Sequence, residues 1–270
     1  MSAPPCNCSE AGVKQVETIK FDQAHPEGQS KHDVVISEGP LNIQVDGTTY
    51  TLLRTQGNDR ELVAGFLFTE GLIESVDDIM ILTECQDAPD VINVTTSTTK
   101  EKPRRNLIMT SSCGLCGRED IRGLLQSLEQ VESTLQITPT LLYGVSEKIR
   151  EQQPLFCSTG SAHASALIDS SGSIRCVRED VGRHNALDKI IGHSLMHGLP
   201  MNDMVVFLSG RISFELIIKA ARARIPVLAA VGAPTGAAVD AAAQLGITLC
   251  GFLRDNSVSV YTHCGRIIAV

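Results

Sequence analysis

The sequence predicts an α/β protein of two unlike parts, a C-terminal α/β domain over residues 154–270 and an N-terminal α+β domain over 19–153, behind a tail at 1–18. Three observations carry this. From Met204 to Phe252, apolar runs and amphipathic stretches alternate as β-α-β-α-β, the rhythm of a parallel sheet with covering helices. Residues 34–53 instead hold three short strands, with the hairpin signal Asp46-Gly47 between the last two. Within the N-terminal domain, a Cys-x-x-Cys loop at 113–116 runs into an amphipathic helix. At 270 residues the chain is long enough to bury both cores.

Taken in order, residues 1–18 contain proline and lack periodicity, so they read as a flexible tail. Strands follow at Val34–Ile36, Leu41–Val45 and Tyr50–Leu53. Leu62, Phe66 and Ile73, with Val63 and Leu67 beside them, form one face of a helix whose expected N-cap is Asp59. Residues 91–110 read as β structure containing the basic, proline-bearing stretch Lys100–Arg105. Ile121, Leu124, Leu125, Leu128 and Val131 share the next helix face, and a short helix lies within 132–154. Pro154 marks the expected boundary. Beyond it come strands at Ala164–Asp169 and Ile174–Arg178, a helix near Arg183–His197, and strand Met204–Leu208. Helix Ser213–Arg224, strand Val227–Val231, helix Gly236–Leu245, strand Ile247–Phe252 and an edge strand at Val258–Tyr261 complete the chain.

Composition excludes several classes. A net charge of −8 leaves no excess of Lys and Arg for phosphate neutralisation along a nucleic acid. Aromatics at 4 %, without tryptophan, offer little stacking surface to unpaired bases. No run approaches the roughly 20 apolar residues of a membrane helix, and the N-terminus lacks the basic and apolar regions of a signal peptide. A cytoplasmic protein without nucleic-acid or membrane partners is expected. Its nine cysteines are then expected as reduced thiols.

Cys113-Gly114-Leu115-Cys116 is the leading chemical signal. A thiol at a helix start is shifted toward thiolate, the nucleophilic form, and Gly114 and Gly117 allow close approach of a partner. Three chemistries compete. A dithiol redox pair expects a βαβ context that is missing here. A structural zinc site needs four ligands, with Cys6 and Cys8 as the other pair. A carrier would hold sulfane sulfur as a persulfide on one cysteine and use the second for transfer. Spacing does not choose among them. Cys157, Cys176 and Cys250 fall in or beside strands and are expected to be buried small hydrophobes.

A second site is expected where the parallel strands end, because loops and helix N-termini converge there. The ends are Ser209-Gly210-Arg211, Gly232-Ala233-Pro234-Thr235 and Arg254-Asp255-Asn256-Ser257. Helices starting near Ser213 and Thr235 favour phosphate, so Arg211 and Arg254 belong either to a phosphorylated-ligand site or to ordinary turns. The run Arg178-Glu179-Asp180-Val181-Gly182-Arg183-His184-Asn185 is a further polar cluster, in which His184 is either structural or functional. Ser158–His163 is a small-residue turn with one histidine.

Five segments together resemble the formate dehydrogenase accessory sulfurtransferases of the FdhD type: Gly65–Ile73, Ser111–Gly117, Arg178–Lys189, Ser209–Glu215 and Pro226–Phe252. The resemblance implies a protein that takes persulfide sulfur from a cysteine desulfurase and delivers it to the molybdenum bis-guanine-dinucleotide cofactor of formate dehydrogenase. It assigns the persulfide to Cys113, a companion role to Cys116, and cofactor binding to Phe252, Leu253, Arg254, Asp255, Asn256 and Ser257, with Arg211 and His184 in support. It implies a C-terminal domain like cytidine deaminase, in three layers, with Ser209–Ser213 where the zinc-binding loop would be and no metal of its own. A homodimer is expected. The alternative is a molybdenum-cofactor or guanine-nucleotide chaperone whose cysteines bind structural zinc.

Overall fold

The structure, a computed structural model, describes residues 12–85, 87–98, 108–109, 118–254 and 256–268, with the backbone alone at 108–109 and 118–122. The chain starts with an antiparallel ribbon, β1 (Val13–Lys20) on β2 (Gln29–Ile36). Residues 13–18 are thus a strand, where the sequence suggested tail. The ribbon is largely solvated, so polar residues occupy both faces and the period-two signal is weak.

A five-stranded sheet follows, ordered β5-β6-β3-β4-β7, from β3 (Gly39–Val45), β4 (Thr48–Arg54), β5 (Ile79–Cys85), β6 (Ala88–Thr96) and β7 (Ile108–Met109). Asp46 and Gly47 take φ of 46° and 85°, the left-handed pair that a two-residue hairpin turn requires. One face is apolar: Leu41, Ile43 and Val45 of β3, with Tyr50 and Leu52 of β4, are buried. Onto it packs α1 (Asp59–Thr69) through Leu62, Val63, Phe66 and Leu67. The N-cap of α1 is Asn58, at φ 56°, rather than Asp59, whose carboxylate takes two hydrogen bonds from Arg54 at 3.1 and 2.8 Å.

The second sheet has six strands, ordered β13-β12-β11-β10-β8-β9. They are β8 (His163–Ile168), β9 (Ile174–Asp180), β10 (Val205–Leu208), β11 (Val227–Ala230), β12 (Thr248–Arg254) and β13 (Ser257–Thr262). β10, β11 and β12 are parallel, whereas β8, β9 and β13 run antiparallel to their neighbours, so the sheet is mixed. The central strands are buried on both faces, which is why they read as unbroken apolar runs. Val206, Leu208, Leu228 and Leu249 face α6 (Arg183–Met196), α7 (Phe214–Arg222) and α8 (Gly236–Leu245). Val205, Phe207, Val227 and Ala229 face α3 (Pro139–Leu142) and α4 (Val145–Arg150).

Before those two helices, α2 (Arg118–Ser127) leads to Leu124, Leu125, Leu128 and Val131, which pack against the first of these cores. Val131 N donates to Leu245 O at 2.8 Å, and Ile137 pairs with Ile267, so residues 131–150 already belong to the second sheet's packing. α5 (Pro154–Thr159) then leads into β8.

The halves meet where α1 crosses α6. A Cβ on Gly65 would lie 1.9 Å from Asp188 O, and one on Gly192 would lie 1.8 Å from Glu61 O. The two backbones touch, and any side chain at either position would separate them.

Candidate functional site at the strand ends

The carboxyl ends of β10, β11 and β12 are stitched together through backbone. Gly232 N donates to Gly210 O and Phe252 N to Gly232 O, both at 3.3 Å, while Thr235 N donates to Ile212 O at 2.9 Å. Glycine is required at the centre, since a Cβ on Gly232 would lie 2.7 Å from Gly210 O. Ser213 caps α7 and Thr235 caps α8, the latter accepting from Ala238 N at 3.2 Å. Two helix N-termini therefore open on this rim, where their dipoles favour anions.

Side chains gather on the same rim. His184, in the first turn of α6, places Nε2 3.3 Å from Ser213 Oγ and 3.8 Å from Glu215 Oε2. Both partners face the same ring nitrogen, whereas a nucleophile–base–acid relay needs opposite ones. The His184 imidazole pulls the Glu215 carboxyl down to about 2 against the opposing effect of burial. His163 lies under Gly210, where a Cβ would come within 3.1 Å of Nδ1. Its pKa is held below the usual histidine value, first by burial and then by the charges of Arg183, His184 and Arg211. Arg183 Nε is shielded from solvent and has no hydrogen-bond partner among the described residues. Cationic groups, an unfilled guanidinium donor and two helix N-termini suit an oxyanion such as a phosphate.

The rest of the Arg178–Lys189 segment binds the two halves of the molecule. Arg178 donates to both oxygens of Glu61 in α1, at 2.5 and 2.8 Å. Glu179 accepts Leu155 N and Phe156 N, at 2.9 and 2.8 Å. Asp180, fully buried, accepts from Thr55 N, Gly182 N and Asn185 Nδ2, and pairs with Lys189 Nζ at 2.8 Å. Lys189 also donates to Thr55 O and Glu179 O, so all three ammonium protons are used. Asp188 accepts from Thr69 Oγ1 and from Lys219, each at 2.8 Å. Burial lowers the Lys219 pKa, but the Asp188 and Glu70 carboxylates outweigh it and hold the value above that of ordinary lysine. Only Arg183 and His184 of this cluster serve the rim.

Of the residues singled out in the sequence, Arg211 is exposed on the rim. Phe252 joins it at φ 53° with its side chain 45 % exposed, inside an irregularity of the β12–β13 pairing. Leu253 points into the core on the α3–α4 side, 2 % exposed, so it can offer a ligand only backbone. Arg254, Asn256 and Ser257 are exposed in the hairpin beyond, where Ser257 Oγ donates to Arg254 O at 3.1 Å. Asp255, Cys113, Cys116, Cys6 and Cys8 lie outside the described residues. Sequence reasoning passed over Arg183 and His163 as site residues. A histidine opening a strand carries no local signal of the glycine loop that the fold lays across it.

Other thiols separate by environment. Burial pushes Cys176 up to about 11 and Cys250 up to about 12, which makes both inert. Cys157, expected to be buried, is exposed on α5. Cys85 is half-buried and Cys264 exposed. Among the described residues, no helix is long and apolar enough to cross a membrane.

A profile of the FdhD/NarQ family matches residues 36–268. A protein of Sulfurisphaera tokodaii named "Sulfur carrier protein FdhD" is 37 % identical over 260 residues, covering 94 % of this chain and all of that one. A Streptomyces coelicolor protein of the same name is 40 % identical over 261 residues, covering 88 % and 90 % of the two chains. A crystal structure of a protein from Desulfotalea psychrophila, described as a formate dehydrogenase accessory protein, superposes with a TM-score of 0.80. It covers 95 % of this chain and 99 % of its own at 23 % identity, a likeness of fold.

Proposed function

The chain belongs to the FdhD/NarQ family, and on that premise we propose that it carries sulfur from a cysteine desulfurase to the molybdenum bis-guanine-dinucleotide cofactor required by formate dehydrogenase. Its role is that of a sulfur carrier, the name borne by relatives 37–40 % identical over nearly the whole chain. The observation that carries the recipient's assignment is the strand-end rim. The Arg183 guanidinium lies there with His184, Arg211 and the starts of α7 and α8. The guanine-dinucleotide recipient is a substrate rich in phosphate, which this rim suits.

Sulfur moves by two displacements. The Cys113 thiolate attacks the terminal sulfur of the donor's persulfide, expelling the donor thiolate and forming Cys113–S–SH. The Cys116 thiolate then attacks the inner sulfur, forming a Cys113–Cys116 disulfide and releasing hydrosulfide to the recipient; a dithiol reductant restores both thiols. Phe252 and the Arg254–Ser257 hairpin border the recipient, with Asp255 as part of the same stretch and Leu253 contributing backbone.

The second sheet, layered between α6–α8 and α3–α4, is read as a deaminase-like domain whose Ser209–Ser213 loop offers an anion-binding helix start in place of zinc ligands. The protein is proposed to work in the cytoplasm as a homodimer.

Incubation with a desulfurase and cysteine, followed by mass spectrometry, tests the carrier step. The native chain is expected to gain the mass of one sulfur atom at Cys113, and Cys113→Ala none. Full loading of that variant refutes the assignment, and one zinc per chain bound through four protected thiols would favour a chaperone instead.

A further inference from the structure

A groove of about 600 Å³ lies away from the strand ends, between the exit of α1, the end of α7 and the residues that follow α2. Phe68, Ile73 and Leu128 line it together with Arg222 and Arg224. That volume suits a small molecule or a few residues of peptide.

Arg222, the last residue of α7, is the unusual group. Its Nε is shielded from solvent with no hydrogen-bond partner, and no ion pair or hydrogen bond engages its guanidinium among the described residues. Packing holds it instead. Its Nη1 lies against Gly71, where a Cβ would come within 2.0 Å of it, and Gly71 sits at φ 72°, which other residues rarely adopt. Its neighbours are already committed. Arg224 pairs with Glu129, and Lys219 is held by Asp188 and Glu70. With Nε closed off and the residue lining the groove, Nη1 and Nη2 are the donors left for an oxyanion presented edge-on. Glu74 and Glu129 also line the groove, and their charge disfavours a dianion such as phosphate over a monoanion.

We propose that this groove is a binding site for a carboxylate, held bidentately by Arg222. The carboxylate belongs either to a small organic acid or to the C-terminus of a polypeptide. The site shares no residue with the strand-end rim, so it stands or falls independently of the sulfur-carrier reading.

The test is calorimetric titration of the full chain with two acid–amide pairs: propionate against propionamide, and N-acetyl-Ala-Ala against its C-terminal amide. The native protein is expected to bind at least one acid about tenfold more tightly than its amide, as a charge-assisted fork implies. Arg222→Gln, with its fold checked by circular dichroism, should erase that preference, and Arg222→Lys should retain part of it. Preference for propionate alone identifies a small acid as the ligand, and preference for the peptide alone identifies a chain terminus. Equal binding of acid and amide by the native protein overturns the proposal, as does no binding of either acid up to about 20 mM. An acid preference that survives in a folded Arg222→Gln variant overturns it as well.

Discussion

Replacing Lys189 with Met tests whether the Arg178–Lys189 segment is chiefly a structural bolt. Methionine preserves most of the stem's volume and removes the ammonium. Asp180, 0 % exposed, would keep Thr55 N, Gly182 N and Asn185 Nδ2 but lose the cation it pairs with, while the carbonyls of Thr55 and Glu179 would each lose a donor. Removing one partner of a buried ion pair costs about 3–5 kcal/mol, since the other charge stays desolvated and uncompensated. For a chain of this size that lowers the melting temperature by roughly 6–20 °C. Differential scanning calorimetry of the native protein, Lys189→Met and Lys189→Met/Asp180→Asn measures it. The double variant, with neither charge of the pair left, should recover a substantial part. The pair Arg175–Asp169, with Arg175 55 % exposed, is the control; Arg175→Ala should cost under about 1 kcal/mol. A shift below about 2 °C for Lys189→Met, or a double variant less stable than the single one, refutes the reasoning.

Gly65→Ala should cost about 3 kcal/mol or more, because its Cβ meets the Asp188 carbonyl at 1.9 Å and α1 must move off α6; a melt within 2 °C of native would contradict the backbone contact. Glu215 has a folded pKa of about 2, depressed from 4.5. Its contribution is complete above pH 4.5 and is lost as pH falls toward 2, so the stability gap to Glu215→Gln should narrow across that window; a gap independent of pH would count against the His184 interaction. Burial and then the cations around it hold the His163 pKa below the usual histidine value. A phosphate on the rim should therefore raise its pKa, visible as an upward shift of its ring-proton titration in NMR when GDP is added; an unchanged midpoint at saturation places the phosphate elsewhere.

Much of this was legible because local and tertiary demands coincide. β10, α7, β11, α8 and β12 were read to within a few residues, because strands buried on both faces leave unbroken apolar runs and Ser213 and Thr235 mark the helix starts. β1 was missed because a solvated ribbon imposes no apolar alternation. The polar segment at 178–185 stands out in the sequence as a cluster, but its purpose is hidden there. Glu61 and Leu53, its partners, lie 117 and 132 residues away in sequence. Arg183 and His163 become neighbours of Arg211 only once β8 and β10 pair.

The central claim is that the strand-end rim receives the nucleotide part of the sulfur acceptor. A crystal structure of the protein with GDP tests it most directly. The diphosphate is expected against the Arg183 guanidinium and Arg211, at the N-termini of α7 and α8, with His184 in contact. GDP bound at another surface, or a rim left without it at saturating nucleotide, would contradict the account.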